Sequence, residues 1–144
     1  MSERIAVFID GGFVEKISQQ EFANLKVDYD RLSTVMASGL SHLRTYYYHC
    51  LPYQSNPPTE EEKERFANRQ RFYNALERIP RFQVRLGRLR RRGNDFEQKG
   101  VDVFLAIDLV QLAVKRLITH AAMITADSDF LPAIEVAKDE GVVI

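Results

Sequence analysis

The stretch RIAVFIDGG, Arg4–Gly12, decides the reading of the fold. Arg4 to Ile9 is apolar and rich in β-formers, and it stops at Asp10-Gly11-Gly12, a turn signal. Further on, Asp28 can cap a helix whose apolar face is Leu32, Val35, Met36 and Leu40. Leu43 to Leu51 reads as a second strand, built on Thr45, Tyr46, Tyr47 and Tyr48. Alternation along that strand predicts one of the three rings buried and two at the surface, although stacking on bases would also suit them. A polar loop with prolines, Pro52 to Pro58, follows.

Thr59-x-x-Glu62 is a capping box that opens a long helix through Phe66, Phe72, Tyr73 and Leu76. Glu60, Glu61, Glu62 and Glu64 crowd its start, where the helix dipole favours acids. Phe82, Val84 and Leu86 alternate with Gln83, Arg85 and Gly87, the pattern of a half-buried strand. Arg90 to Gly100 is charged, lacks apolar pattern and reads as a loop. A helix is expected over Val101 to Leu117, a short strand over Ala121 to Thr125, and a helix over Phe130 to Glu140. Gly141-Val142-Val143-Ile144 then begins another strand, so a missing C-terminal segment is expected. Strands alternating with helices predict one α/β domain over 1–144, a mostly parallel sheet flanked by helices.

The 144 residues carry 45% hydrophobic and 28% charged side chains, ordinary for a soluble domain. The N-terminal apolar run is too short for a signal peptide or a membrane span. Cys50 is the only cysteine, which excludes a disulfide framework and a CxxC zinc site and makes a cytoplasmic setting the default. Twenty basic residues balance twenty acidic ones, so net charge names no partner. The arginines are nevertheless bunched: Arg78, Arg81, Arg85, Arg88, Arg90, Arg91 and Arg92 follow one another with no acid between. Such a stripe can touch phosphates, or it can blunt an exposed sheet edge. Lys99 could likewise hold a phosphate as a point charge, or be a solvated loop lysine.

In open parallel sheets, ligands bind beyond the carboxyl ends of the strands. Asp10 ends the first strand, Asp127 and Asp129 follow the strand ending at Thr125, and Asp102 opens the preceding helix. If those strands are neighbours, the four carboxylates converge. Several carboxylates stay ionised together only beside a cation, and oxygen ligands alone suit Mg²⁺ or Mn²⁺. Bound there, such an ion could activate water against a phosphodiester. Each acid also has a plainer role: Asp127 as a cap, Asp129 and Asp102 as first-turn acids, Asp10 as a turn former. Asp108 is the alternative second acid, since it sits in an apolar stretch about 240° around the helix from Asp102. Asp10-Gly11-Gly12 is neither a P-loop nor a dinucleotide turn.

The segments FIDGGF (Phe8–Phe13), YYYHCLPY (Tyr46–Tyr53), KGVDVFLAIDL (Lys99–Leu109) and TADSDFLPAIEVAKDEG (Thr125–Gly141) resemble the NYN domain family, in particular its LabA-like branch, within the PIN-like nuclease superfamily. The resemblance implies a Rossmann-like sheet, a Mg²⁺ or Mn²⁺ site and RNA, single-stranded, as substrate. It places the metal on Asp10, Asp102 and Asp127, with Asp129 close by as a further catalytic acid. Lys99, Arg85, Arg90, Arg91 and Arg92 are then the expected substrate-binding cations. Two positions depart from the family pattern: Phe13 stands where Asn is usual, and Ala126 where Gly is usual. Three functional classes are in view: a ribonuclease, an RNA-binding module without turnover, and a regulatory or assembly domain. No membrane partner is expected, and a homo-oligomer is compatible with the chain.

Overall fold

The computed structural model describes residues 2–126 and 128–144. In chain order the elements are β1 (Arg4–Asp10), α1 (Gly11–Glu21), α2 (Tyr29–Ala37), β2 (Ser41–Cys50), α3 (Glu60–Glu77), β3 (Phe82–Arg92), β4 (Asp95–Lys99), α4 (Val101–Val114), β5 (His120–Ile124) and α5 (Leu131–Asp139). A 3-10 turn over Ser128–Phe130 leads into α5. The strands form one five-stranded sheet in the order β4-β3-β2-β1-β5. All pairings are parallel except β3 with β4, so the sheet is mixed and mostly parallel. Val143 extends it by a single parallel bridge to His120.

Strand side chains alternate between two cores. Phe8, Tyr46, Tyr48 and Cys50 pack with Leu105, Leu109 and Leu112 of α4 and with Ala133 and Ala137 of α5. Val7, Ile9 and Tyr47 point the other way, onto Tyr29 of α2 and onto Tyr73 and Leu76 of α3. Each large apolar side chain buried in this way contributes about 2 kcal/mol. All three tyrosines of β2 are therefore buried, at 6% exposure or less, which corrects the expectation of two surface rings. A central strand covered by helices on both faces has no solvent side to offer them.

Local signals fix the helix starts. Asp28 accepts from the Arg31 N–H at 3.1 Å, and Ser38 closes α2 in the left-handed region. Thr59 and Glu62 complete a reciprocal capping box at 2.8 and 3.1 Å. The helix α1 is an addition to the sequence reading, because it starts at once where Asp10-Gly11-Gly12 reads as a turn. Asp10 caps it by accepting from the Phe13 N–H at 3.2 Å. A Cβ on Gly11 would lie 2.3 Å from Tyr47 Cζ, so only glycine lets α1 start against that buried ring.

The region Arg90 to Gly100 is the second correction. It is a β-hairpin, Arg88 opposite Lys99 through Arg92 opposite Asp95, and not a loop. Charged residues fill its exposed positions, so apolar alternation cannot reveal it; the ladder hydrogen bonds carry the pairing. At its base, a Cβ on Gly87 would sit 2.4 Å from the Lys99 carbonyl oxygen, so glycine is needed where the hairpin returns toward α4. Among the described residues, no helix is long and apolar enough to cross a membrane.

Candidate functional site

The strands β1 and β5 run parallel and adjacent, Ile5 beside His120 through Ile9 beside Ile124. This puts the chain after Ile124 next to Asp10, at the carboxyl edge of the sheet. The helix α4 starts at the same edge, because the β3–β4 hairpin delivers the chain back there. Asp10, Asp102 and Asp129 accordingly line one hollow of about 420 Å³, together with Glu97, Gln98, Lys99, Val101 and Phe130. Asp127, the remaining expected acid, lies outside the described residues.

Burial raises the Asp10 carboxyl above its usual range, against the opposing pull of the Phe13 N–H, nearby His49, the Gly12 N–H and the Thr125 side chain. A nearby cation would remove that penalty by favouring the charged form. Asp102 makes no ion pair among the described residues. Those residues contain no group of three His, Cys, Asp or Glu close enough to enclose an ion by themselves. A Mg²⁺ or Mn²⁺ ion that keeps several waters needs only one or two carboxylates, so the oxygen donors of this hollow fit one.

Asp108, the alternative second acid, is 6% exposed and faces the sheet. Tyr48 donates to its Oδ2 at 2.8 Å, and Arg85 donates to both oxygens at 3.2 and 3.1 Å. An apolar helix face can hold this carboxylate because Tyr48 and Arg85 satisfy its oxygens. Asp102 therefore faces the hollow, and Asp108 ties α4 to β2 and β3. The same contacts hold the Arg85 guanidinium, expected to meet substrate, against Asp108 and over the Tyr46 ring.

The hairpin divides the remaining arginines. Alternation puts Arg90 and Arg92 on one face and Arg91 on the other. Arg92 pairs with Glu97 at 3.2 Å, Lys99 pairs with Glu97 at 3.0 Å, and Arg91 Nε donates to the Gly93 carbonyl. Lys99 also lines the acidic hollow.

Sequence reasoning passed over Glu15. It accepts from His49 Nε2 at 3.0 Å and from Arg69, and so joins α1, β2 and α3 beside the site. Since His49 Nδ1 accepts from the Cys50 N–H at 2.7 Å, Nε2 is the nitrogen that carries the proton to Glu15. Burial pushes the Glu15 carboxyl up, but His49 and Arg69 together outweigh it, and the net direction is down. The clue missed was α1 itself, since without that helix nothing brings position 15 to the sheet edge.

The sequence matches the NYN domain family over residues 4–144. The chain belongs to the NYN domain family. The NYN fold is of the PIN-like nuclease type. A crystal structure of a protein of unknown function from Vibrio parahaemolyticus RIMD 2210633 is similar in fold to this NYN domain. Its TM-score is 0.68 at 17% identity, over 96% of this chain and 75% of that one. No curated protein matches the sequence.

Proposed function

We propose that this NYN domain is a metal-dependent ribonuclease that hydrolyses phosphodiester bonds of single-stranded RNA, and that it belongs to the LabA-like branch. One observation carries the reading: three aspartates from three separate chain segments line one hollow at the carboxyl edge of adjacent parallel strands. Membership of a family with a nuclease-type fold supports it. Asp10, Asp102 and Asp127 would hold a Mg²⁺ or Mn²⁺ ion, with Asp129 beside them. When bound, the ion would lower the pKa of a coordinated water and neutralise charge on the phosphate. Asp10 is held for its part by the Phe13 N–H, and it lines the hollow. Lys99 would hold a phosphate oxygen, and Arg90, Arg91 and Arg92 would follow the strand outward. The single, buried cysteine suits a reducing cytoplasm.

A second reading has one observation of its own. Phe13 lines the mouth of the site beside Asp10, where the family usually carries an Asn amide, so the domain could bind RNA without turning it over. Labelled single-stranded RNA incubated with Mn²⁺ or Mg²⁺, with and without chelator, separates the two. Metal-dependent cleavage that Asp10→Asn abolishes is the expected result. Binding without cleavage selects the second reading, and neither binding nor cleavage removes both.

A further inference from the structure

Phe96 is the one apolar residue of β4, whose sequence is Asp-Phe-Glu-Gln-Lys. It is 52% exposed and belongs to neither core. Its ring is not loose, however. Tyr53, from the loop after β2, packs against it with centroids 5.3 Å apart and planes at 43°. Arg91 stands opposite it across the hairpin. The ring lines an open hollow of about 700 Å³ whose other walls include Asp10, Gly12, Lys16 and Gln98. One cavity thus offers an aromatic face, a lysine and the site's central carboxylate. That combination suits a nucleotide, because every base has a π-face and every link a phosphate.

We infer that Phe96, backed by Tyr53, is a stacking platform for one base of a single-stranded RNA whose neighbouring phosphate lies toward Lys16 and Asp10. This rests on the proposed RNA reading and adds the subsite that orients the strand. A duplex keeps its bases stacked on one another and cannot offer a free face, so the platform selects single strands.

The chain contains no tryptophan, so Phe96→Trp places a single indole emitter at the platform. A ten-nucleotide oligouridine, titrated in chelator so that nothing is cleaved, should quench it, and the matching duplex should not. Anisotropy of the labelled oligouridine, measured in parallel, should show Phe96→Ala weakening binding about tenfold or more, with Phe96→Tyr close to wild type. Phe96→Leu, which keeps apolar bulk against Tyr53 but has no π-face, should bind as poorly as Phe96→Ala. If the oligouridine binds by anisotropy while the indole is not quenched, or if Phe96→Leu binds as wild type, the platform is refuted and the RNA reading stands. If no RNA binds at all, both fall together.

Discussion

The hydroxyl of Tyr48 on β2 donates to the carboxylate of Asp108 on α4 across 2.8 Å of the main core. Arg85 on β3 closes the same carboxylate from its other side, so three elements meet on one buried charge. Removing the carboxylate leaves a buried hydroxyl and a partly covered guanidinium without their acceptor. Asp108→Ala should therefore lower stability by about 3 kcal/mol in urea unfolding, with an unchanged m-value. Its Mn²⁺ affinity should match wild type. Loss of metal binding with stability intact would make Asp108 a ligand instead.

Asp10 behaves in the opposite sense. Its carboxyl is raised from the ordinary 3.8, chiefly by burial, so the ionised form opposes folding above the native pKa and the penalty is gone below about pH 3.8. Asp10→Asn keeps an acceptor for the Phe13 N–H and should melt above wild type at pH 7 in chelator. That advantage should shrink as pH falls toward 4, and Mn²⁺ should reverse the order by stabilising only the wild type. Thermal melts at pH 4 and pH 7, with and without Mn²⁺, check it. Identical melting of the two proteins throughout would mean that Asp10 is neither strained nor a ligand.

Glu15 titrates the other way. Its native pKa lies below the ordinary 4.5, so its contribution is full above that value and is lost as pH falls through the native pKa. The side chain is a third exposed, which limits the effect of Glu15→Gln at pH 7 to about 1 kcal/mol. The gap between wild type and variant should close below pH 4.5 in urea titrations. A gap that persists at low pH would assign the effect to packing of α1 and not to charge.

If RNA lies along the hairpin, Arg90, Arg91 and Arg92 together should set its salt dependence. Replacing all three with Ala should flatten the slope of log affinity against log salt by about 2.1, the value for three phosphate contacts on a single strand. Fluorescence anisotropy between low and moderate salt measures this. An unchanged slope would return the three residues to the role of a charged sheet edge.

Much of this domain was legible in the chain itself. The strands at Arg4–Asp10 and His120–Ile124, the capping box at Thr59 and the cap at Asp28 all depend on neighbours within a few residues. Such signals follow from local sterics, hydrogen bonds and burial period, which a sequence carries openly. The tertiary structure decided what depends on distant partners. Asp102 and Asp108 are both acids on one helix, and only the approach of Tyr48 and Arg85 from two strands turns Asp108 to the core and leaves Asp102 at the hollow. The tyrosines of β2 are all interior because two layers of helices cover that strand, a fact that no alternation of residue types within it could convey. The pairing of Arg88–Arg92 with Asp95–Lys99 is held by backbone hydrogen bonds whatever side chains it bears, so the charged stretch Arg90–Gly100 was silent and its position beside Asp10 belongs to the fold.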